Sequence, residues 1–178
     1  MAIDRAQTLR GALAGGVAAA TWAAQMPLDK RVAGSSYDDV EILGKAITRG
    51  GRWWLAGWTW HLGNGALFGA VYANLAPRVP LPSWMRGPAA AVGEALATWP
   101  LAELSDRLHP AREELPKIAR DRRALAQAAW RHLLFGVVLG ELERRLNSPV
   151  EAELPTFEHV VSSNGHGNLE HAVSGANA

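Results

Sequence analysis

The chain has 178 residues, enough for one compact domain with a hydrophobic core, and its formal net charge of +1 gives no global argument for nucleic acid or an acidic partner. The absence of cysteine excludes disulfides, iron–sulfur clusters and thiolate zinc sites. Eight Trp against three Phe and two Tyr is an unusual balance, and Trp concentrates at membrane–water interfaces.

Four weakly charged stretches, 11–28, 53–77, 87–102 and 124–140, predict an all-α fold. Read as spans, they form a four-helix transmembrane bundle over residues 1–148, with a short interfacial helix in the first connection. A crossing helix needs about 20 mostly apolar residues, which the first two stretches supply and the last two barely do. The mean hydropathy of −0.05 is low for a polytopic protein. Charged connections, a polar tail and the use of Ala and Gly in place of Leu and Ile lower it. The competing reading is an Ala-rich soluble helical bundle.

In the first stretch Gly11, Gly15, Ala18, Trp22 and Gln25 share one helical face, on which another helix can approach closely. Arg5 and Arg10 ahead of an apolar run also suit a secretory signal peptide ending near Ala24, whereas the run from Met26 to Arg31 suits the exit of a span. In the connection 32–52, Ser35 and Ser36 can cap a helix with Asp38, Asp39 and Glu41 in its first turn and Lys45 and Arg49 at its end. Val40, Leu43 and Ile47 make its apolar stripe, and Gly50-Gly51 stops it.

The second stretch opens with Trp53, Trp54, Trp58 and Trp60, placed as an aromatic belt. His61, Asn64, Phe68 and Tyr72 follow on one side, with Gly65 and Gly69 beside them. Pro77, Pro80 and Pro82 predict a rigid turn, and the third stretch begins at Gly87-Pro88. The connection 103–123 is charged and broken by His109-Pro110 and Pro116. The fourth stretch continues as a polar helix through Glu141, Glu143, Arg144 and Arg145. Residues 149–178 predict a polar, disordered tail in which His159, His166 and His171 are incidental.

The residues that could carry chemistry are the ionisable groups inside these stretches. Glu94 shares a face with Ala90, Ala91, Ala97 and Thr98, and His132 shares one with Ala128, Gly136 and Gly140. Both therefore lie on small-residue faces where helices pack. Arg131 sits about 100° further round, near Gln127, within reach of Glu94. His61, Asn64, Glu94, Arg131 and His132 form the candidate polar cluster, and Gly11, Gly15, Gly65, Gly69, Gly136 and Gly140 the candidate packing positions. The cluster either handles protons or an anion, or fixes helix register as a structural pair. Two His on different helices raise bis-histidine haem ligation or a His/Glu metal site, but no attachment motif or ligand spacing supports either. No metal and no cofactor is expected. No phosphate loop or nucleophile elbow is present either, so the balance leans away from an enzyme.

The same segments resemble a known plan. A small-residue first helix leads to Met26-Pro27-Leu28; a second carries His61 early and runs through Phe68–Tyr72 to Ala76-Pro77. A third opens with Gly and Ala, and a fourth begins at His132 and closes on Glu141, Glu143, Arg144 and Arg145. Over residues 8–147 this is similar to the YagU-like family of small bacterial inner-membrane proteins, with Glu94 outside the family pattern. The resemblance implies an integral membrane protein linked to acid stress, without an enzymatic activity, and transfers no catalytic residue.

The expected setting is therefore multi-pass in a bacterial cytoplasmic membrane. The partners would be the lipid bilayer and a membrane protein or a second copy, with no nucleic acid. The Lys and Arg residues concentrate in the two odd connections, which predicts both termini outside. The function expected is that of a non-enzymatic accessory protein. The alternative is a transport or redox protein with a Glu/His proton, ion or haem site.

Overall fold

The computed structural model describes residues 4–148. The polar tail 149–178 and its three His lie outside the described residues. Within them the fold is all-α: α1 (Arg5–Ala33), α2 (Asp39–Ile47), α3 (Trp53–Leu75), a 3-10 turn (Ala76–Arg78), α4 (Ser83–Thr98), α5 (Leu101–Leu108) and α6 (Arg122–Asn147).

Local chemistry sets most of the boundaries. The Asp4 carboxylate accepts from the backbone N–H groups of Ala6 and Gln7 at 2.8 and 3.2 Å, capping α1. The helix continues through Pro27, which the sequence reading took as an exit, and ends at Gly34. There φ is +60° and the glycine N–H donates to the Lys30 carbonyl. The short helix expected in the first connection forms, but Asp38 caps it through the Glu41 N–H, while Ser35 turns to the Tyr37 N–H. The connection after α4 holds a helix of its own, α5, that its charge had hidden.

The packing is built on small residues. α1 lies against α3 and α6, α4 against α6, and α2 against α3. A Cβ at Gly11 would stand 2.5 Å from the Gly69 carbonyl oxygen, and one at Gly15 would collide with that of Gly65, so the α1 and α3 backbones touch. Gly136 meets Gly87 in the same way at the α4–α6 crossing, with Gly140 in ordinary contact beside them. Around these seams Trp22, Met26, Tyr72, Phe135 and Leu139 fill the main core. A smaller cluster joins Tyr37, Ala102, Ile118, Ala124 and Ala128.

The expectation of membrane spans is overturned. No helix among the described residues is long and apolar enough to cross a membrane. The multi-pass placement, the integral-membrane description and the orientation read from loop charges fall with it. α4 has 16 residues, a rise of about 24 Å against the roughly 30 Å of a hydrocarbon core, and it carries Arg86 and Glu94. α1 contains Arg10 and closes on Asp29, Lys30 and Arg31, and α6 encloses Arg131. α3 is uncharged, but Trp, Gly and Ala dominate it and His61, Asn64 and Asn74 interrupt it. The small residues that let the helices approach contribute little apolar transfer energy. Large apolar side chains nevertheless remain exposed on the outer faces, among them Leu9 and Leu13 on α1 and Leu67, Val71 and Leu75 on α3.

Candidate binding cleft

Two polar centres lie on either side of Trp22. The inner one is built on Arg131, which is fully buried. Its Nε and Nη2 donate to the two Asp29 carboxylate oxygens at 2.6 and 2.7 Å, a bidentate pair. Nη1 donates to Asp39 Oδ2 at 2.6 Å, and Nη2 also donates to the Tyr37 carbonyl at 3.0 Å. Gln127 and Gln25 each donate to Asp29 at 2.7 Å, and the guanidinium lies 5.0 Å from the Tyr37 ring centroid. Burial pushes the Asp29 carboxyl up, but the hydrogen bonds from Arg131, Gln127 and Gln25 outweigh it and hold the group below its usual range. Burial works against the Arg131 charge too, and Asp29 and Asp39 more than restore it. Burial, and then the Asp39 charge, push the Tyr37 hydroxyl well above its ordinary value, so it stays protonated and donates to Asp39.

The outer centre is Glu94 and His132. Nδ1 of His132 lies 2.7 Å from the Ala128 carbonyl, an acceptor, so this nitrogen carries hydrogen and donates. Nε2 lies 3.0 Å from Glu94 Oε2. With Nδ1 already committed, the bridge needs a proton of its own, on Nε2 of an imidazolium or on a Glu94 carboxylic acid. The Glu94 side chain is 41% exposed, so the pair stands at an opening. His61 is buried and its Nε2 donates to the Ala19 carbonyl at 3.1 Å, which leaves Nδ1 as an acceptor. Burial lowers the His61 pKa against the opposing pull of Asp39, keeping the ring neutral.

Trp22 joins the centres. Its Nε1 donates to Asp39 Oδ2 at 3.2 Å, and its ring meets those of His61, His132 and Phe135 edge-on, with centroids 5.3, 4.5 and 6.1 Å away. Beside Trp22 lies a cavity of about 350 Å³ to which all six helices contribute. His61, Asn64, Glu94 and His132 line it among apolar neighbours. The structure thus brings four of the five candidate cluster residues to one cavity. The fifth, Arg131, turns away from Glu94 towards Asp29 and Asp39.

A group held between His61 and His132 does not fit this geometry. Trp22 is packed against both imidazoles, and both ring nitrogens of His132 are engaged. Among the described residues no group of three or more His, Asp and Glu side chains could hold a metal ion.

Sequence reasoning missed Asp29, Asp39 and Tyr37. The signal for Asp29 was present: it lies four residues beyond Gln25 and seven beyond Trp22, on the face already singled out. Reading Pro27 as the end of the helix concealed it. For Asp39 and Tyr37, which approach from another element, the sequence carried no comparable cue. No family model, no curated protein and no solved structure matches this chain. The YagU-like resemblance therefore rests on the residues quoted for it.

Proposed function

We propose that this is a small-molecule-binding helical protein whose site is the cavity beside Trp22. One observation carries the reading. Polar side chains from three helices, far apart in sequence, converge on a single largely apolar cavity within the size range of ligand pockets. The inner Arg131 centre supports the site by anchoring Trp22 through Asp39.

Titration with Nile red, a neutral apolar dye, tests the reading. The dye should report a saturable site in the native protein that is lost in Thr98→Trp, a substitution at an exposed cavity-lining position that fills the opening without disturbing the core. Equal saturable binding by both proteins would remove the cavity from consideration.

The exposed Leu and Val side chains of α1 and α3 favour a second reading, an accessory protein whose outer faces associate with a protein partner or a second copy. Sedimentation across a concentration series tests self-association. A monomer throughout would leave only a different protein as the partner. The acid-stress role implied by the YagU-like resemblance stands beside these as a further proposal, testable by survival of a deletion strain at low pH.

A further inference from the structure

We infer that the cavity selects organic cations, specifically an amine carried on an apolar or aromatic body. The inference rests on the binding reading above and adds the ligand's chemical class. Its basis is the sign of the side chains lining the cavity. Two carboxylates, Asp39 and Glu94, line it, whereas no Lys or Arg does. Arg131 is spent on Asp29 and Asp39 and does not line the cavity. An anion entering would meet no Lys or Arg, and the protonatable His132 is bridged to Glu94. A cation would meet Glu94 at the opening and the acceptor Nδ1 of neutral His61 further in.

The walls suit the rest of such a molecule. Trp22, Phe68, Trp99 and Phe135 line the cavity, and their ring faces attract a positive charge while their area accepts an apolar body. Glu94 can exchange its partner. Its side-chain partner is His132 Nε2, so an ammonium N–H can take the place of that single bridge without stripping a buried network. Asp39, held by Arg131, Trp22 and Tyr37, has no such freedom.

Three probes that share one scaffold and differ in charge separate this inference from the parent reading: 2-phenylethylamine in its ammonium form, 2-phenylethanol and phenylacetate. Binding is measured by calorimetry on the full chain and on the Thr98→Trp and Glu94→Gln variants. The amine should bind about tenfold more tightly than the alcohol, and phenylacetate most weakly. Thr98→Trp should abolish binding of all three. Glu94→Gln should bring the amine down to the level of the alcohol measured on the same variant. If all three bind equally to the native protein and all are lost in Thr98→Trp, or if phenylacetate is preferred, the cation inference is overturned and the cavity reading survives. If none binds, or Thr98→Trp binds as the native protein does, both fall. The charge comparison in the native protein decides the matter even if Glu94→Gln fails to fold.

Discussion

Arg131 and His132 are adjacent in sequence on one helix, and both contact or approach Trp22's surroundings, yet they meet opposite fates. Arg131 has no exposed surface and makes four hydrogen bonds to Asp29, Asp39 and Tyr37. His132 keeps one proton-dependent bridge to a carboxylate that is 41% exposed. The first centre is closed and saturated, so its residues depend on one another for burial. The second is open on one side, so its members can change partners. About 100° of rotation around α6 separates the two centres, and charge in an apolar stretch does not by itself say which kind of centre it will build.

The comparison can be broken most forcefully at Arg131. Arg131→Ala leaves two carboxylates without their cation beside the core and should cost about 3–5 kcal/mol, read as a lower denaturant midpoint. A loss below about 1 kcal/mol would mean that the centre is hydrated, not closed. Acid should act on the same centre reversibly. Asp29 sits below its ordinary value of 3.8, so its contribution is complete above that pH and disappears as pH falls through the lowered folded value. His61 adds an earlier step. Its folded pKa is also lowered, so the unfolded chain takes up its proton first and stability starts to decline as pH falls below about 6.5. Thermal unfolding from pH 8 to pH 3 should show the early decline vanish in His61→Gln. If the decline persists unchanged in that variant, another group is responsible.

Trp22→Phe tests the link between the centres. It keeps an aromatic ring near His132 and Phe135 but removes the N–H donated to Asp39, with an expected loss of about 1–2 kcal/mol. Glu94→Gln should produce the smallest change, within about 1 kcal/mol, because the carboxylate is partly exposed and the amide can still meet His132. A loss as large as that of Arg131→Ala would place Glu94 among the structural residues and erase the distinction between the two centres.

The sequence made the seams easier to read than the surroundings. Gly11, Gly15, Gly65 and Gly69 recur at helical spacing, and that spacing alone marks a face on which backbones can meet. Glu94 and His132 were each assigned to a packing face by their small neighbours, and those faces belong to helices that do pack. Burial against a protein neighbour and burial against lipid use the same apolar alphabet, however, and Ala-rich segments do not distinguish them. The span reading failed on that ambiguity. The sequence left Glu94 within reach of His132 or Arg131, and Arg131 free to snorkel along its helix; Glu94 meets His132, and Arg131 does neither. Its true partners come from the last turns of α1 and the start of α2, beyond a proline that the helix simply passes through.

The separation of Arg131 from Asp29 by 102 positions means that the two carboxylates are synthesised well before their cation. During synthesis α1, α2 and α3 leave the ribosome together and can close their glycine seam while α6 is still unmade. Until α6 arrives, Asp29 and Asp39 keep only the neutral donors of Gln25, Trp22 and Tyr37, a pair of like charges without their cation. Docking of α6 then buries them and inserts the one cation that both accept. The same event supplies His132 and Phe135 to the cavity, so the wall of the site is completed by the last helix among the described residues. A nascent chain that has not yet extended to α6 is thus a half-bundle whose recognition chemistry has not come into existence.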